Sequence, residues 1–321
     1  MPQFKTASRS LDELKSAKAE LNEMFSIVKG SNGKLNQKAV QKLDANRYEI
    51  AELILQIIRD TVLVTDPTPF LVDVVDGQLG NDYVWQELDS TLRVVARSYG
   101  TKPLSQRLVF KEYGMVTSHK EIAVEIPLEE VAIGRVTPSL VTDAISEAIN
   151  RYRINSILTG IDAGVPSGAD HTGKSGYNLR YTDLTSANLD KAIDGLLDES
   201  DAPTIFGRHI ALAPKIRGFT GWSADTLREF ELRGMIGTYH NATVVSLRDQ
   251  YHKREGGHLV AANKAWISSG TKGARFMARD VSFLDWAMVD PRSSTFGVGT
   301  RLEDGVLVFD PYQYRIIENI T

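Results

Sequence analysis

The stretch Thr137 to Gly160 constrains this chain most. Thr137 suits an N-cap, and Pro138 suits the first helical position, where its missing N–H costs nothing. Val141, Ala144, Ile145, Ala148, Ile149 and Tyr152 then recur at helical spacing, so the pattern predicts one apolar face. Asp143, Glu147, Arg151 and Arg153 fall mostly off that face, and Glu147 precedes Arg151 by the four residues that favour a surface pair. Ile157 and Leu158 complete the pattern, and Gly160 is read as its stop. About 22 residues at 1.5 Å each make a rod of about 33 Å, long for a compact domain. An extended region precedes it, and any fold for this chain must accommodate a ribbon followed by a long helix.

The segments on either side are of different kinds. Residues 1–47 are polar and lysine-rich, with one amphipathic helix carried by Leu11, Leu14, Leu21 and Phe25. That segment reads as an arm; the alternative is a peripheral helix. Tyr48 to Val64 predicts a second helix, ended by Asp66-Pro67-Thr68-Pro69. From Phe70 to Glu130 the signals are extended. Thr91 to Tyr99 and Arg107 to Tyr113 alternate around the turn-rich Gly100 to Ser105, which predicts a long two-stranded hairpin. Such a ribbon is marginal in water by itself, so it needs cover from its own domain or from neighbouring subunits. Its basic and aromatic residues suit a surface that docks on protein. Arg93, Arg97, Tyr99, Lys102, Arg107, Lys111 and Tyr113 are therefore the candidate inter-subunit contacts. Beyond the long helix, Ile161 to Arg180 reads as a glycine-rich loop. Thr185 or Ser186 caps a helix with Leu189, Ala192, Ile193 and Leu196 inward, and His209 to Ala213 reads as a buried strand. Alternating strands and helices to Ala262 predict a small α/β unit. From Ala265 strands dominate, and Glu303-Asp304-Gly305 reads as a tight turn between two of them.

Composition narrows the function. A net charge of −4 over 321 residues argues against tight non-specific DNA binding as the main task. The absence of cysteine excludes disulfides, thiolate metal sites and cysteine nucleophiles. The N-terminal residues do not read as a signal peptide, and no apolar run is long enough to span a bilayer. Ser167, Asp170 and His171 resemble a triad on paper, yet they crowd one loop, whereas triads are assembled from separated elements. His252, Glu255 and His258 lack the helical pair spacing of zinc hydrolases, and Gly270 to Gly273 lacks the glycine spacing of a phosphate loop. No catalytic, cofactor-binding or metal-ligating residues are assigned, and the chain does not read as an enzyme.

The order of these features resembles the major capsid proteins of tailed double-stranded-DNA bacteriophages, a fold shared with herpesvirus capsids and encapsulins. Residues 1–66 resemble the family's N-terminal arm and helices, and 67–122 its extended β-hairpin loop. Thr137 to Gly160, with its ending Asn155-Ser156-Ile157-Leu158-Thr159-Gly160, resembles the spine helix. That helix would lie in a peripheral domain made of 123–180 and 263–321, with an axial α/β domain at 181–262 inserted between. The resemblance implies an α+β capsid fold and a structural protein that assembles as hexamers and pentamers into an icosahedral shell. It implies no cofactor, and location in a virion capsid assembled in the bacterial host cytoplasm. Implied partners are a portal, a scaffold or protease, a decoration protein, and packaged double-stranded DNA in weak non-specific contact. The alternatives are an encapsulin-like compartment and a soluble α/β enzyme with an unrecognised site.

Overall fold

The computed structural model describes residues 11–30, 34–65, 71–76, 83–89, 109–170, 173–197, 202–218, 238–247, 260–261, 263–278, 284–290 and 294–320. Its axis is the helix α5, Pro138–Gly164, about 40 Å long at 1.5 Å per residue. Thr137 occupies the N-cap position, but its side chain makes no capping bond. The cap comes from another helix. Asn22 of α1 (Leu11–Ser26) accepts from the Ser139 N–H at 3.2 Å and donates to the Ser139 hydroxyl at 3.0 Å. Lys18, one turn earlier on α1, pairs with Asp143 at 2.5 Å.

The helix does not stop at Gly160. A Cβ there would lie 2.5 Å from Val306 Cγ1, and one at Gly164 would lie 2.6 Å from Val308 Cβ. The two glycines, four residues apart, form a flat track on which a strand lies. Each costs about 1 kcal/mol of helix propensity, which that close packing offsets. The buried band also differs from the expected stripe. Ala144 and Ala148 are exposed. Thr142, Ser146, Asn150 and Arg153 are buried beside Ile145, Ile149, Ile154, Ile157, Leu158 and Ile161. Burial of the hydroxyls is feasible because the Thr142 side chain donates to Ser139 O and that of Ser146 to Thr142 O, each at 2.8 Å.

Around the first half of α5 lie α1, α2 (Gln37–Ala45), α3 (Arg47–Thr65) and α4 (Leu128–Ala132). Leu14, Leu21 and Phe25 of α1 share a core with Ile50, Ile54 and Ile57 of α3, and Phe25 meets Phe296 edge-on at 5.5 Å. Residues 11–26 are thus a packed peripheral helix, not a projecting arm.

The sheets beside α5 are unlike one another. In a five-stranded sheet the organising strand is β12, Thr295–Val308, about 47 Å long. Ten of its residues pair antiparallel with β4 (Ser118–Pro127). β11 (Leu284–Asp290) pairs with its start and β10 (Ala274–Ala278) with its end, and β1 (Asp73–Asp76) runs parallel to β10. The predicted turn at Glu303-Asp304-Gly305 is therefore the interior of one continuous strand. The six-stranded sheet has the order β5-β13-β9-β6-β8-β7, made of Arg180–Tyr181, Tyr314–Ile317, Ala265–Ser268, Thr204–Arg208, Ala242–Leu247 and Thr238–Tyr239. Its strands β9 and β13 come from beyond residue 262, so this sheet is built across the expected domain boundary. The strand predicted at His209 to Ala213 is instead helix α7, His209–Arg217, and the strand β6 precedes it at Thr204–Arg208. Thr204, Ile205 and Phe206 carry the β-propensity, while Ala211, Leu212 and Ala213 favour helix.

Both faces of the six-stranded sheet are covered. Ile205, Ala265, Ile267 and Ile317 face α7 and α6 (Ser186–Leu197), where Leu189, Ile193 and Leu196 pack inward. Phe206, Trp266, Tyr314 and Ile316 face Ile154, Ile157, Leu158 and Ile161 of α5. Period-two alternation with both faces buried explains why Tyr314–Ile317 is apolar apart from Arg315. Among the described residues no helix is long and apolar enough to cross a membrane.

Candidate assembly surface

A third, two-stranded sheet stands apart from the others: β2 (Tyr83–Asp89) against β3 (Val109–Met115), antiparallel, with Trp85 opposite Tyr113 and Leu88 opposite Phe110. The alternation of Tyr83, Trp85 and Glu87 with Val84, Gln86 and Leu88 is the local signal for β2, and it lies before the strand expected at Thr91 to Tyr99. Residues 90–108 lie outside the described residues, and with them Arg93, Arg97, Tyr99, Lys102 and Arg107.

The ribbon leaves the body at the segment misread as a turn. Met115 is buried against Gly305, where a Cβ would lie 2.7 Å from the Val116 carbonyl and 3.1 Å from Met115 Cγ. Glu303 and Asp304 are buried as well. The Thr117 hydroxyl donates to Glu303 at 2.7 Å, and the Ser118 and Tyr152 hydroxyls donate to Asp304, each at 3.1 Å. Burial first, and the Asp304 carboxylate second, push the Tyr152 phenol above its ordinary value, so it remains a neutral donor. Hydroxyl donors on α5, at the start of β4 and just before it thus make two carboxylates and a glycine usable in mid-strand.

One ribbon face turns inward. The Arg275 guanidinium lies 3.2 Å from the Trp85 ring centroid, Tyr113 meets Phe309 at 6.4 Å, and Lys111 Nζ lies 4.8 Å from the Tyr113 ring. Of the predicted contact residues, Tyr113 is therefore half-committed to its own subunit, while Lys111 is exposed. The other face exposes Val84 and Phe110, crossed by a 2.6 Å bond from Gln86 to Glu112. Val116 at the root is 89% exposed. The sequence reading took basic and aromatic residues of the ribbon as contacts and left out Val84 and Phe110, although alternation along Tyr83 to Leu88 marks Val84 and that along Arg107 to Tyr113 marks Phe110.

The loop that suggested a triad is structural. Asp170 is fully buried and pairs with Arg315, also fully buried, at 3.3 Å. Ser167 is exposed, and His171 lies outside the described residues, as do His252, Glu255 and His258. Among the described residues no group of three or more His, Cys, Asp or Glu is placed to hold a metal ion.

No protein-family model matches the chain, and comparison with curated protein sequences gives no match either. Solved structures do match. A chain of the capsid of cyanophage P-SCSP1u aligns with a TM-score of 0.53 at 11% identity, over 79% of this chain and 88% of that one. The mature capsid of bacteriophage PhiM1 gives 0.52 at 10%, over 77% and 84%. The satellite phage P4 procapsid, which includes the size determination (Sid) protein, gives 0.50 at 12%, over 83% and 90%. The fold is that of tailed-phage major capsid proteins. At such low identity the likeness lies in the order and packing of elements.

Proposed function

We propose that this chain is a structural, non-catalytic subunit that self-assembles into the icosahedral shell enclosing a phage double-stranded-DNA genome. The observation that carries this reading is the ribbon β2/β3, rooted on the body while its outward face leaves Val84 and Phe110 exposed. A two-stranded ribbon with an apolar outer face is stable when a second surface covers it, and a closed lattice of identical copies supplies that surface at every position. Hexamers and pentamers of this subunit form the shell in the virion, with ribbons lying over adjacent subunits. A portal and a scaffold or protease serve assembly, and a decoration protein binds outside. The acidic net charge suits a container that encloses DNA without gripping it.

Electron microscopy of the purified protein tests this. The expected result is closed particles of uniform diameter, and monomers under every condition would refute it. DNA inside native particles separates a virion from an encapsulin-like compartment, where cargo protein would appear instead. Deleting residues 86–111 is expected to leave a folded subunit that closes no shells; normal shells from that variant would show that the ribbon is not a strap.

A further inference from the structure

The base of the ribbon holds a defined pose for which the backbone alone does not account. β3 continues through Met115 into β4, which fixes one strand at its end. β2 pairs with β3 and with no other strand among the described residues. What orients β2 on the five-stranded sheet is therefore carried by side chains. Trp85 of β2 faces the body, against Arg275. Its Nε1–H is buried and finds no acceptor among the described residues. Its ring face is held. Arg275, on β10, lies 3.2 Å from the Trp85 centroid and 5.8 Å from the Phe309 centroid. Phe309 passes the contact on to Tyr113 of β3, and Lys111 Nζ lies over that ring at 4.8 Å. Two cations and three rings run in contact from Lys111 through Tyr113, Phe309 and Arg275 to Trp85, and join both ribbon strands to the five-stranded sheet.

We infer that Arg275 is a positioning residue, a clamp that sets the angle of the ribbon on the subunit body and thereby the curvature at which copies join. The second half rests on the shell reading above. Arginine suits the task because its planar guanidinium stays charged and stacks on an aromatic face, which a lysine ammonium does not do. The angle matters through leverage. β2 reaches about 23 Å over its seven residues, so a rotation of about 10° at the base moves the far end by about 4 Å. The backbones of pre-organised interfaces move by no more than about 1 Å on binding, so the displacement of the far end lies outside what such joining absorbs.

The test uses the full chain with Arg275→Lys and Arg275→Ala. Amide hydrogen exchange is followed in the dissociated subunit, and particle diameters are measured by electron microscopy after assembly. Exchange of 83–89 and 109–115 is expected to rise about threefold in the lysine variant and up to about thirtyfold in the alanine variant. Protection in β9 and β13 stays unchanged, and the alanine variant gives mixed diameters or open sheets where the parent gives one diameter. Unchanged ribbon exchange in both variants overturns the clamp. Faster exchange with an unchanged uniform diameter overturns its role in curvature. Should the alanine variant lose protection in β9 and β13, Arg275→Lys and Trp85→Leu decide, each expected to free the ribbon alone. A parent that forms no particles sinks the shell reading and the curvature role with it, while the exchange comparison still decides the clamp.

Discussion

The Asp170→Ala variant strips Arg315 of its counter-ion in a place where water cannot replace it. Both side chains are fully buried, and Nη2 of Arg315 lies 3.3 Å from Asp170 Oδ2. Breaking a buried pair by removing one partner costs about 3–5 kcal/mol, because the remaining charge stays in a poorly polarisable interior. Here Arg315 keeps three carbonyls: Tyr312 O at 2.6 Å, Tyr314 O at 3.0 Å and Gly195 O at 3.4 Å. They hold the expected loss near about 3 kcal/mol, roughly a hundredfold in the unfolding equilibrium. Asp170→Asn keeps an acceptor for Nη2–H and is expected to lose about 1–2 kcal/mol. The double replacement Asp170→Leu with Arg315→Met removes both charges, so its cost falls well below the sum of the singles, with a coupling of about 2 kcal/mol or more. Gly195→Ala belongs to the same set. A Cβ there would lie 2.9 Å from Asp170 Oδ2 and 3.2 Å from Arg315 Nη2, so the usual helix gain of about 1 kcal/mol is reversed. Urea unfolding followed by near-ultraviolet circular dichroism, which reads Trp266 and Tyr314 in the same sheet, measures each variant. An Asp170→Ala loss under about 1 kcal/mol, or singles that simply add, would refute the reasoning.

Three further outcomes are expected. Gly160→Ala should destabilise by about 1 kcal/mol in thermal unfolding, since overpacking against Val306 (about 1–3 kcal/mol) exceeds the gain in helix propensity; a stabilised variant would mean that β12 does not lie on that track. Burial, and then its 2.7 Å bond to Asp190, raise the Tyr239 phenol above its ordinary value. The folded-state pKa is thus the higher one, so this stability is complete below about pH 10 and is lost as pH rises beyond it. The fall in melting temperature at alkaline pH should be smaller in Tyr239→Phe, and equal falls would count against the assignment. Phe110→Glu, on the outward ribbon face, should leave the subunit's circular dichroism unchanged while electron microscopy finds no closed particles.

Local chemistry determined the start of the long helix, the helix after Ser186, the strand near Ile122 to Ile126, and the presence of a two-stranded ribbon. In each, the signal lies within one short window: Pro138 at the first helical position, the helical spacing of Leu189 to Leu196, and the alternation along Ile122 to Ile126 and along the ribbon strands. The order of those elements was also enough to carry the resemblance to the capsid fold. Tertiary structure decided the rest. Gly160 read as a stop because its reason for being glycine, Val306, is far along the chain. Glu303-Asp304-Gly305 read as a turn because carboxylates in a buried strand are affordable only with Thr117, Ser118 and Tyr152 aimed at them. The crowded loop was enough to set Asp170 aside as a triad member, but its buried partner, Arg315, is far along the chain. The long helix itself changed face: Ala144 and Ala148 went to solvent, while Thr142 and Ser146 satisfied their hydroxyls on the helix backbone and went inside. Propensity and periodicity are properties of a window. Whether a polar group can be buried, or a glycine is needed, depends on what a distant segment places against it.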